Sequence, residues 1–440
     1  MVHSTQEPST EPIWWQDIEE EVFTWHHPAT FNIGLAILED KAPDDTAIIE
    51  TGERELVVTF GQLRDEACRL ATWLQDQGIH EGDRIAVFLA QQYELAVVHA
   101  AGYLIGAVVV PLTTRFGPDA VQYRLSDSES KVIFGASHDL QRISSALEQV
   151  PSLTHIVSVD GEPVSDHSAQ QVSYQSCLAA QPMSLDDVTV TDPDAPAVLI
   201  YTSGTTGNPK GALHAHRVLI GHMPGIRYTH ASFPQPGDMM WTPAEWAWIG
   251  GLFDVLIPSL ACNVPVVASK SRFSPELAKH IFETIGARNA FLPPTAIKQL
   301  RASHVSIRPG AIRTIAAGGE PLGAELQVWS REHLGVEINE FYGQTEMNLV
   351  IGQNRTREEP PEGSMGRQLP GFEIKILNDV GEEVAPGETG EICVHTPNPG
   401  EFLGYWNQPE QTASKYHGQY LRTGDLGRQD EHGYFYFGSR

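Results

Sequence analysis

The chain has 440 residues, of which 41% are hydrophobic and 19% are charged. At roughly 100–200 residues per domain, this length is typical of several packed units with a large core. Lys and Arg total 29 and Asp and Glu total 56, so the formal net charge is −27. This charge argues against a nucleic acid or an anionic membrane surface as a partner, because both require a basic face.

The four cysteines are scattered and form no Cys-x-x-Cys pair, which is typical of a reducing compartment. Residues 1–21 are polar and acidic, whereas a signal peptide would be basic and then apolar. The most apolar stretch, residues 97–112, is too short for a membrane span. The sequence therefore predicts a cytoplasmic protein without a membrane span.

Helix and strand signals alternate along the first part of the chain. Thr59 and Gln62 form a capping pattern at the start of a helix, and residues 84–89 are an apolar run of strand length. A helical stretch over residues 93–105 then leads to the apolar run 107–110. Strands separated by helices at this interval predict right-handed crossovers and a mostly parallel sheet.

The pattern resumes at residues 197–201 and changes after Gly366, where short strands alternate with turn residues. The predicted fold is therefore α/β, with two α/β lobes of mostly parallel sheet and a small β-barrel-like subdomain. The expected divisions are an N-terminal extension over residues 1–30, a first α/β lobe over 31–170, a second α/β lobe over 171–345 and a β-rich subdomain over 346–440.

A segment rich in glycine and hydroxyl side chains follows the apolar strand. It reads Thr-Ser-Gly-Thr-Thr-Gly-Asn-Pro-Lys-Gly over residues 202–211. Glycines let successive backbone N–H groups face one anion, hydroxyls add donors, and Lys210 adds a point charge. The segment therefore predicts a polyphosphate cradle. It differs from the common NTPase loop, because Pro209 stands where that motif requires its second glycine.

This segment resembles the phosphate loop of the adenylate-forming superfamily, which comprises acyl-CoA synthetases, adenylation domains of peptide synthetases and luciferases. Three further segments resemble that family's motifs in the same order. They are Gly-Glu-Pro over residues 319–321, Glu-Phe-Tyr-Gly-Gln-Thr-Glu over 340–346 and Tyr-Leu-Arg-Thr-Gly-Asp over 420–425. The resemblance extends from about Phe31 to Arg440.

The resemblance implies a role for each motif. Residues 319–321 lie along the adenine, the ring of Tyr342 stacks on it, Thr345 contacts the α-phosphate, Glu346 binds Mg²⁺ and Asp425 accepts hydrogen bonds from the ribose hydroxyls. The implied nucleotide ligands are Thr202, Ser203, Gly204, Thr205, Thr206, Gly207, Lys210, Gly319, Glu320, Pro321, Glu340, Phe341, Tyr342, Gly343, Gln344, Thr345, Asp425 and Arg440. The implied catalytic residues are Lys210, Thr205, Thr345 and Glu346.

The implied reaction requires no protein nucleophile. A carboxylate attacks the α-phosphate of ATP, and pyrophosphate departs while Mg²⁺ and the loop donors neutralise its charge. A thiol, usually that of coenzyme A, then attacks the acyl-adenylate. The expected cofactors are therefore ATP, Mg²⁺ and coenzyme A, the expected substrate is a small carboxylic acid, and a homodimer is a further expectation.

Residues 241–251 resemble the Trp-containing stretch of acetyl- and medium-chain acyl-CoA synthetases, in which Trp246 and Trp248 would form apolar walls. Trp248 or Ile249 stands where amino-acid-activating relatives carry an aspartate, which argues against a peptide synthetase. Gly343 stands where acetate-specific relatives carry a bulky Trp, so a short- to medium-chain or small aromatic acid is expected. The implied acid-binding residues are Trp246, Trp248, Ile249, Gly318 and Gly343.

Two alternative functions stay open. Arg440 resembles the arginine of the family's hinge, so we expect the small C-terminal lid domain, which carries a second lysine, to be absent. The alternatives are an AMP- or acyl-AMP-binding remnant without turnover and an adenylation domain that loads a carrier protein.

The pairs His214 with His216 and Phe253 with Asp254 are more typical of structural residues than of ligands.

Overall fold

The computed structural model describes residues 23–161, 168–202 and 208–439. In chain order the strands are β1 (Thr46–Glu50), β2 (Leu56–Thr59), β3 (Arg84–Phe88), β4 (Val108–Pro111), β5 (Val132–Gly135), β6 (His155–Ser158), β7 (Gln170–Ser173), β8 (Pro196–Thr202), β9 (Lys210–Ala215), β10 (Met240–Trp241), β11 (Val266–Ala268), β12 (Asn289–Phe291), β13 (Thr314–Ala317), β14 (Ile338–Gln344), β15 (Asn348–Gly352), β16 (Arg367–Gln368), β17 (Ile374–Leu377), β18 (Gly390–His395), β19 (Gly404–Tyr405), β20 (Tyr416–His417), β21 (Tyr420–Gln429) and β22 (Phe435–Ser439).

The α-helices are α1 (Ile33–Leu38), α2 (Phe60–Asp76), α3 (Tyr93–Leu104), α4 (Pro118–Ser128), α5 (Ser137–Arg142), α6 (Ser144–Leu147), α7 (Tyr174–Cys177), α8 (Val218–Thr229), α9 (Ile249–Gly251), α10 (Ile257–Ala261), α11 (Pro275–His280), α12 (Pro294–Ala302), α13 (Ala324–His333) and α14 (Pro409–Ala413). A 3₁₀ turn spans Leu185–Asp187, and π-helical turns span Leu252–Leu256 and Ile281–Ile285. No helix in these described ranges combines the length and the apolar character that crossing a bilayer requires.

The predicted capping box begins α2. Thr59 Oγ1 accepts a hydrogen bond from the Gln62 N–H at 3.2 Å, and Gln62 Oε1 accepts one from the Thr59 N–H at 2.9 Å. These two bonds satisfy donors that the first turn of a helix leaves unpaired. The prediction of a helix start at Thr59 is confirmed.

The first sheet has the strand order β19-β9-β8-β4-β3-β5-β6-β7. It is parallel from β8 to β7, and β9 and β19 extend it in antiparallel orientation. Alternate residues of β3 face opposite sides, with Ile85 and Val87 in the core that the three sheets share and Ala86 and Phe88 in a second core.

The second sheet has the order β16-β15-β14-β13-β12-β10-β11-β1-β2 and is parallel from β14 to β1. It takes β1 and β2 from the beginning of the chain, whereas β8 and β9 lie in the first sheet. The expected division between residues 170 and 171 therefore does not separate the two sheets, because long crossover connections exchange strands between them. The domain boundaries themselves stay a prediction.

The third sheet is antiparallel and has the order β17-β18-β21-β20, with β22 paired to β21. Inward-facing residues of β17, β18 and β21 join the shared core, among them Ile376, Ile392 and Leu421. The predicted α/β fold with mostly parallel sheets and a small antiparallel, barrel-like part is confirmed.

Candidate active site

The phosphate-loop segment connects two paired strands of the first sheet. β8 and β9 are antiparallel, and Thr202 pairs with Lys210 across the base of the loop. The strand thus fixes the Lys210 backbone, and the Lys210 side chain is half-buried. The predicted ligands Ser203, Gly204, Thr205, Thr206, Gly207 and Arg440 lie outside the described residues.

Tyr405 joins the predicted phosphate-binding lysine to the predicted metal ligand. It lies on β19, which pairs with β9, and its ring is 5.0 Å from Lys210 Nζ. Its hydroxyl donates a hydrogen bond to Glu346 Oε1. A cation over an aromatic face is attracted by the negative π-cloud, so Tyr405 orients both charged groups. The sequence motifs did not identify Tyr405.

The predicted adenosine-binding residues converge on Asp425. Its Oδ2 accepts hydrogen bonds from the Tyr342 hydroxyl at 2.8 Å and from Gln344 Nε2 at 2.6 Å. Gln344 also donates to the Thr423 carbonyl at 2.9 Å, which holds β14 against β21. The sequence separates these residues by about eighty positions, and the structure places them in one hydrogen-bonded cluster.

The turn over residues 319–321 is exposed and is anchored by Glu340. Gly319 has a φ of +83°, which favours glycine, and nothing lies within 4 Å of a Cβ built there. Glu340 Oε1 accepts a hydrogen bond from the Leu322 N–H at 3.1 Å, and burial raises the pKa of Glu340 to about 7. Glu340 therefore positions the turn, and the exposed turn itself is available to a base.

Thr345 directly follows β14. Its backbone is close to the ring of His214 on β9, although neither ring nitrogen forms a well-aligned hydrogen bond. His216 Nδ1 accepts a hydrogen bond from the Ile33 N–H at 3.1 Å. Burial lowers the pKa of both histidines to about 3, so both rings are neutral. The interpretation of both histidines as structural residues stays a prediction.

Lys415 is a second cation at this site that the motifs did not identify. It precedes β20, and its carbonyl accepts a hydrogen bond from the Arg422 N–H at 2.7 Å, next to the 420–425 motif. Burial lowers the pKa of Lys415, whereas the charges of Glu346 and Asp425 oppose that shift. An ammonium group near both predicted ligand carboxylates adds positive charge to a strongly acidic protein.

The expected acid-binding residues fall into different environments. Trp246 is 1% exposed, and its indole N–H has no hydrogen-bond partner among the described residues. Trp248 is 38% exposed and packs edge-on against Phe116 with ring centroids 5.9 Å apart. Ile249 is half-buried at the first position of α9. Only Trp246 is enclosed, so the two tryptophans do not form matching walls.

Gly343 does not have the geometry expected of it. A Cβ at this position would lie 2.0 Å from the Asn348 carbonyl oxygen, because a register shift after Tyr342 brings β15 against β14. The missing side chain therefore faces backbone and does not open space for an acid. This corrects the expectation that Gly343 enlarges the acid pocket.

Phe341 packs beside Gly318 and Phe291, and its contact with the nucleotide stays a prediction. A Cβ at Gly318 would lie 2.5 Å from the Phe341 ring, and the centroid of that ring is 5.3 Å from that of Phe291. Gly250 borders Phe291, since a Cβ there would lie 2.9 Å from the Phe291 ring edge. Gly318 and Gly250 thus border a pair of aromatic rings.

The residues present fit a magnesium ion shared with substrate phosphates. Glu346 accepts the Tyr405 hydroxyl on Oε1, and Oε2 has no hydrogen bond within the described part of the chain. No group of three or more His, Cys, Asp or Glu residues could hold a metal in that part. Mg²⁺ commonly uses one or two carboxylates together with phosphate oxygens, so a lone carboxylate beside a phosphate loop is sufficient.

Comparisons with known proteins agree with this geometry. The AMP-binding enzyme family matches residues 38–406. An acetyl-coenzyme A synthetase of Bacillus subtilis is 28% identical over 395 residues, which cover 88% of this chain and 68% of the relative. A 4-hydroxybenzoate–CoA/benzoate–CoA ligase of Rhodopseudomonas palustris is 28% identical over 377 residues, which cover 84% of this chain and 67% of the relative.

The fold is shared with a solved structure. The crystal structure of an acyl-CoA synthetase from Brucella canis matches with a TM-score of 0.84 and 26% identity, over 95% of this chain and 76% of that chain. The predicted family resemblance and enzyme class are confirmed, since the family match covers most of the chain and the relatives are acyl-CoA-forming ligases. The chain belongs to the AMP-binding enzyme family.

Proposed function

We propose that this enzyme activates a carboxylic acid larger than acetate with MgATP and transfers the acyl group to coenzyme A. The proposal rests on two clusters of contacts that join the predicted nucleotide-binding motifs. Tyr342 and Gln344 converge on Asp425, and Lys210 and Glu346 are joined through Tyr405. The first group suits adenosine and the second suits the phosphates and Mg²⁺.

The nucleotide binds in this proposal with its adenine on the face of Tyr342 and its ribose hydroxyls on Asp425. An aromatic face contributes about 1–3 kcal/mol per stacked base. Gln344 and the Tyr342 hydroxyl hold the Asp425 carboxylate in place before the ribose arrives. This preorganisation lowers the ordering cost of binding.

The chemistry needs charge stabilisation at the α-phosphate. A substrate carboxylate oxygen attacks the α-phosphorus, the bond to the bridging oxygen breaks, and pyrophosphate leaves with its electrons. Lys210 and Thr345 neutralise the charge that develops, and Glu346 would hold Mg²⁺, which supplies further neutralisation when bound. The thiolate of coenzyme A then attacks the carbonyl carbon, and AMP leaves.

The acid is proposed to occupy the space beside the aromatic pair Phe291 and Phe341. Gly250 and Gly318 lack side chains next to these rings, which favours a flat or short apolar group. One relative is named for 4-hydroxybenzoate and benzoate. A short- to medium-chain or small aromatic acid therefore suits the site better than acetate does.

The test is release of pyrophosphate from MgATP with acetate, butyrate, hexanoate, octanoate and benzoate, followed by thioester formation with coenzyme A. We expect kcat/KM to be higher for benzoate or one of the longer acids than for acetate. A clear preference for acetate would contradict the proposed acid class, and release with none of the acids would contradict the proposed reaction.

A cytoplasmic location and a homodimer complete the proposal. The cysteines at positions 68, 177, 262 and 393 form no disulfide within the described ranges, which supports a reducing compartment. Fractionation of the cells that make the protein tests the first point, and the mass of the purified protein in solution tests the second.

A further inference from the structure

A buried aspartate that the proposed reaction does not use lies next to the aromatic pair. Asp254 occupies the π-helical turn Leu252–Leu256, which interrupts one continuous helical segment between α9 and α10. π-helical turns are rare and occur frequently at functional sites. Asp254 is 6% exposed, and aspartate is almost never buried to this extent unless it is paired.

One oxygen of Asp254 is paired with a histidine. Oδ1 lies 3.1 Å from Nε2 of His222, a residue of α8 that is 1% exposed and stacks on Phe253. His222 Nδ1 faces the Val218 carbonyl at 3.4 Å, so Nδ1 carries a proton. Nε2 and Oδ1 do not form a well-aligned hydrogen bond, so this contact leaves both atoms without a hydrogen-bond partner among the described residues.

The second oxygen of Asp254 has no donor. No hydrogen bond to Oδ2 is formed within the described ranges, and Oδ2 lies 3.4 Å from a Cβ built at Gly250. The same Cβ would lie 2.9 Å from the Phe291 ring, which places Oδ2 at the side of the acid space that Gly250 borders. His222 lies on the Oδ1 side, so a proton bound to Asp254 is held there and Oδ2 is an acceptor whether Asp254 is ionised or protonated.

Asp254 is a buried carboxyl group whose Oδ1 has no well-aligned hydrogen bond, and such a group is costly unless a ligand or another partner satisfies it. We propose that Asp254 Oδ2 accepts a hydrogen bond from a hydroxyl or amino group of the acid, so that the enzyme selects hydrogen-bond-donating acids over apolar ones of equal size. This inference rests on the proposed function, because it places the acid beside Phe291 and Phe341.

Burial raises the pKa of the Asp254 carboxyl, and His222 opposes that rise. A buried carboxyl group of this kind suits a neutral donor on the acid, because a second buried charge would add a desolvation cost.

The test uses non-hydrolysable acyl-sulfamoyl adenosines, which mimic acyl-adenylates and require no turnover. The acyl groups are 3- and 4-hydroxybenzoyl, each compared with the methylbenzoyl of the same substitution, because methyl matches hydroxyl in size and lacks the donor. We expect at least one hydroxyl compound to bind about ten- to hundredfold more tightly than its methyl partner, the range for a hydrogen bond to a charged group. Equal binding within each pair would overturn the inference and leave the proposed function standing.

The variant Asp254→Leu should reduce the preference for hydroxyl to less than about threefold and tighten the methyl compounds, a reversal that loss of stability alone does not produce. Asp254→Asn keeps the shape and should lower the preference if the leucine variant does not fold. Asp160→Asn removes a carboxylate that follows β6 and accepts hydrogen bonds from the Ser137 and Ser158 hydroxyls, and it should leave the preference unchanged. A preference that survives in both Asp254 variants would contradict the inference, and failure of every analogue to bind would contradict the proposed function itself.

Discussion

The nucleotide side and the acid side of this site differ in how their residues are distributed along the chain. Lys210, Tyr342 and Asp425 each lie on a strand and belong to a short contiguous motif. The acid side is assembled from single residues of separate helices and strands, such as His222, Asp254 and Phe291. The nucleotide side is therefore visible in the sequence as contiguous motifs. The acid side is not, because its side chains are scattered along the chain.

The largest effect is expected at the phosphate end of the nucleotide side. Lys210→Ala should lower kcat/KM for MgATP-dependent pyrophosphate release at least about a hundredfold, as for loss of one donor that stabilises a developing oxyanion. The fold should persist, because the side chain is half-buried and its strand pairing is unaffected. Lys298→Ala, an exposed lysine of α12, is the matched control. Equal losses in both variants would mean that Lys210 has no specific role.

At the adenosine end, two variants of Tyr342 distinguish base stacking from hydrogen bonding. Tyr342→Ala should weaken AMP about ten- to hundredfold, in line with about 1–3 kcal/mol for base stacking. Tyr342→Phe keeps the ring, loses the hydroxyl with its hydrogen bonds to Asp425 and Gln344, and should weaken AMP a few-fold. Titration calorimetry with AMP measures both. If the phenylalanine variant is as weak as the alanine variant, the ring face does not carry the base.

The pH dependence of the free energy of unfolding tests the environment of Glu340 on the nucleotide side. Burial raises its pKa to about 7 from 4.5, so between these values the folded state holds a proton that the unfolded state releases. Its contribution to the free energy of unfolding therefore falls as pH rises from 4.5 to about 7. Glu340→Gln keeps an acceptor for the Leu322 N–H and removes the titration.

The difference in unfolding free energy between wild type and Glu340→Gln should fall by at most about 3 kcal/mol across that window, at about 1.4 kcal/mol per pKa unit. Urea unfolding at a series of pH values measures it. Glu148→Gln, which changes an exposed carboxylate, serves as the control. A difference that is flat in pH would show that Glu340 is not held in its neutral form.

The smallest effect is expected for Gly343→Ala. This variant shows whether Gly343 is required for strand packing or for selection of the acid. A Cβ would lie 2.0 Å from the Asn348 carbonyl, so Gly343→Ala should lower the free energy of unfolding by about 1–3 kcal/mol through overpacking. Gly117→Ala is the control, since nothing lies within 4 Å of its Cβ position. A stable Gly343→Ala enzyme with a narrowed choice of acids would restore the original expectation for this residue.

Much of the fold and of the nucleotide side could be predicted from the sequence. The alternation of helices and strands predicted the parallel sheets. The resemblance of the motifs to those of the family predicted that Tyr342 and Asp425 lie at one site. The exchange of β1, β2, β8 and β9 between the sheets could not be predicted, since periodicity identifies strands but not their partners.

The acid side could not be predicted for a different reason. Asp254 next to Phe253 is typical of a helix interior, and only the structure places its free oxygen beside Phe291. The expectation for Gly343 failed because a sequence shows that a side chain is missing and not where that side chain would point. The positions of Tyr405 and Lys415 likewise depend on contacts between distant strands.

A crystal structure of the protein with AMP tests the central claim most directly. The account predicts that the adenine lies on the Tyr342 ring, that both ribose hydroxyls bond to Asp425, and that the phosphate points toward Lys210. A nucleotide bound away from the Tyr342–Asp425 pair would contradict it.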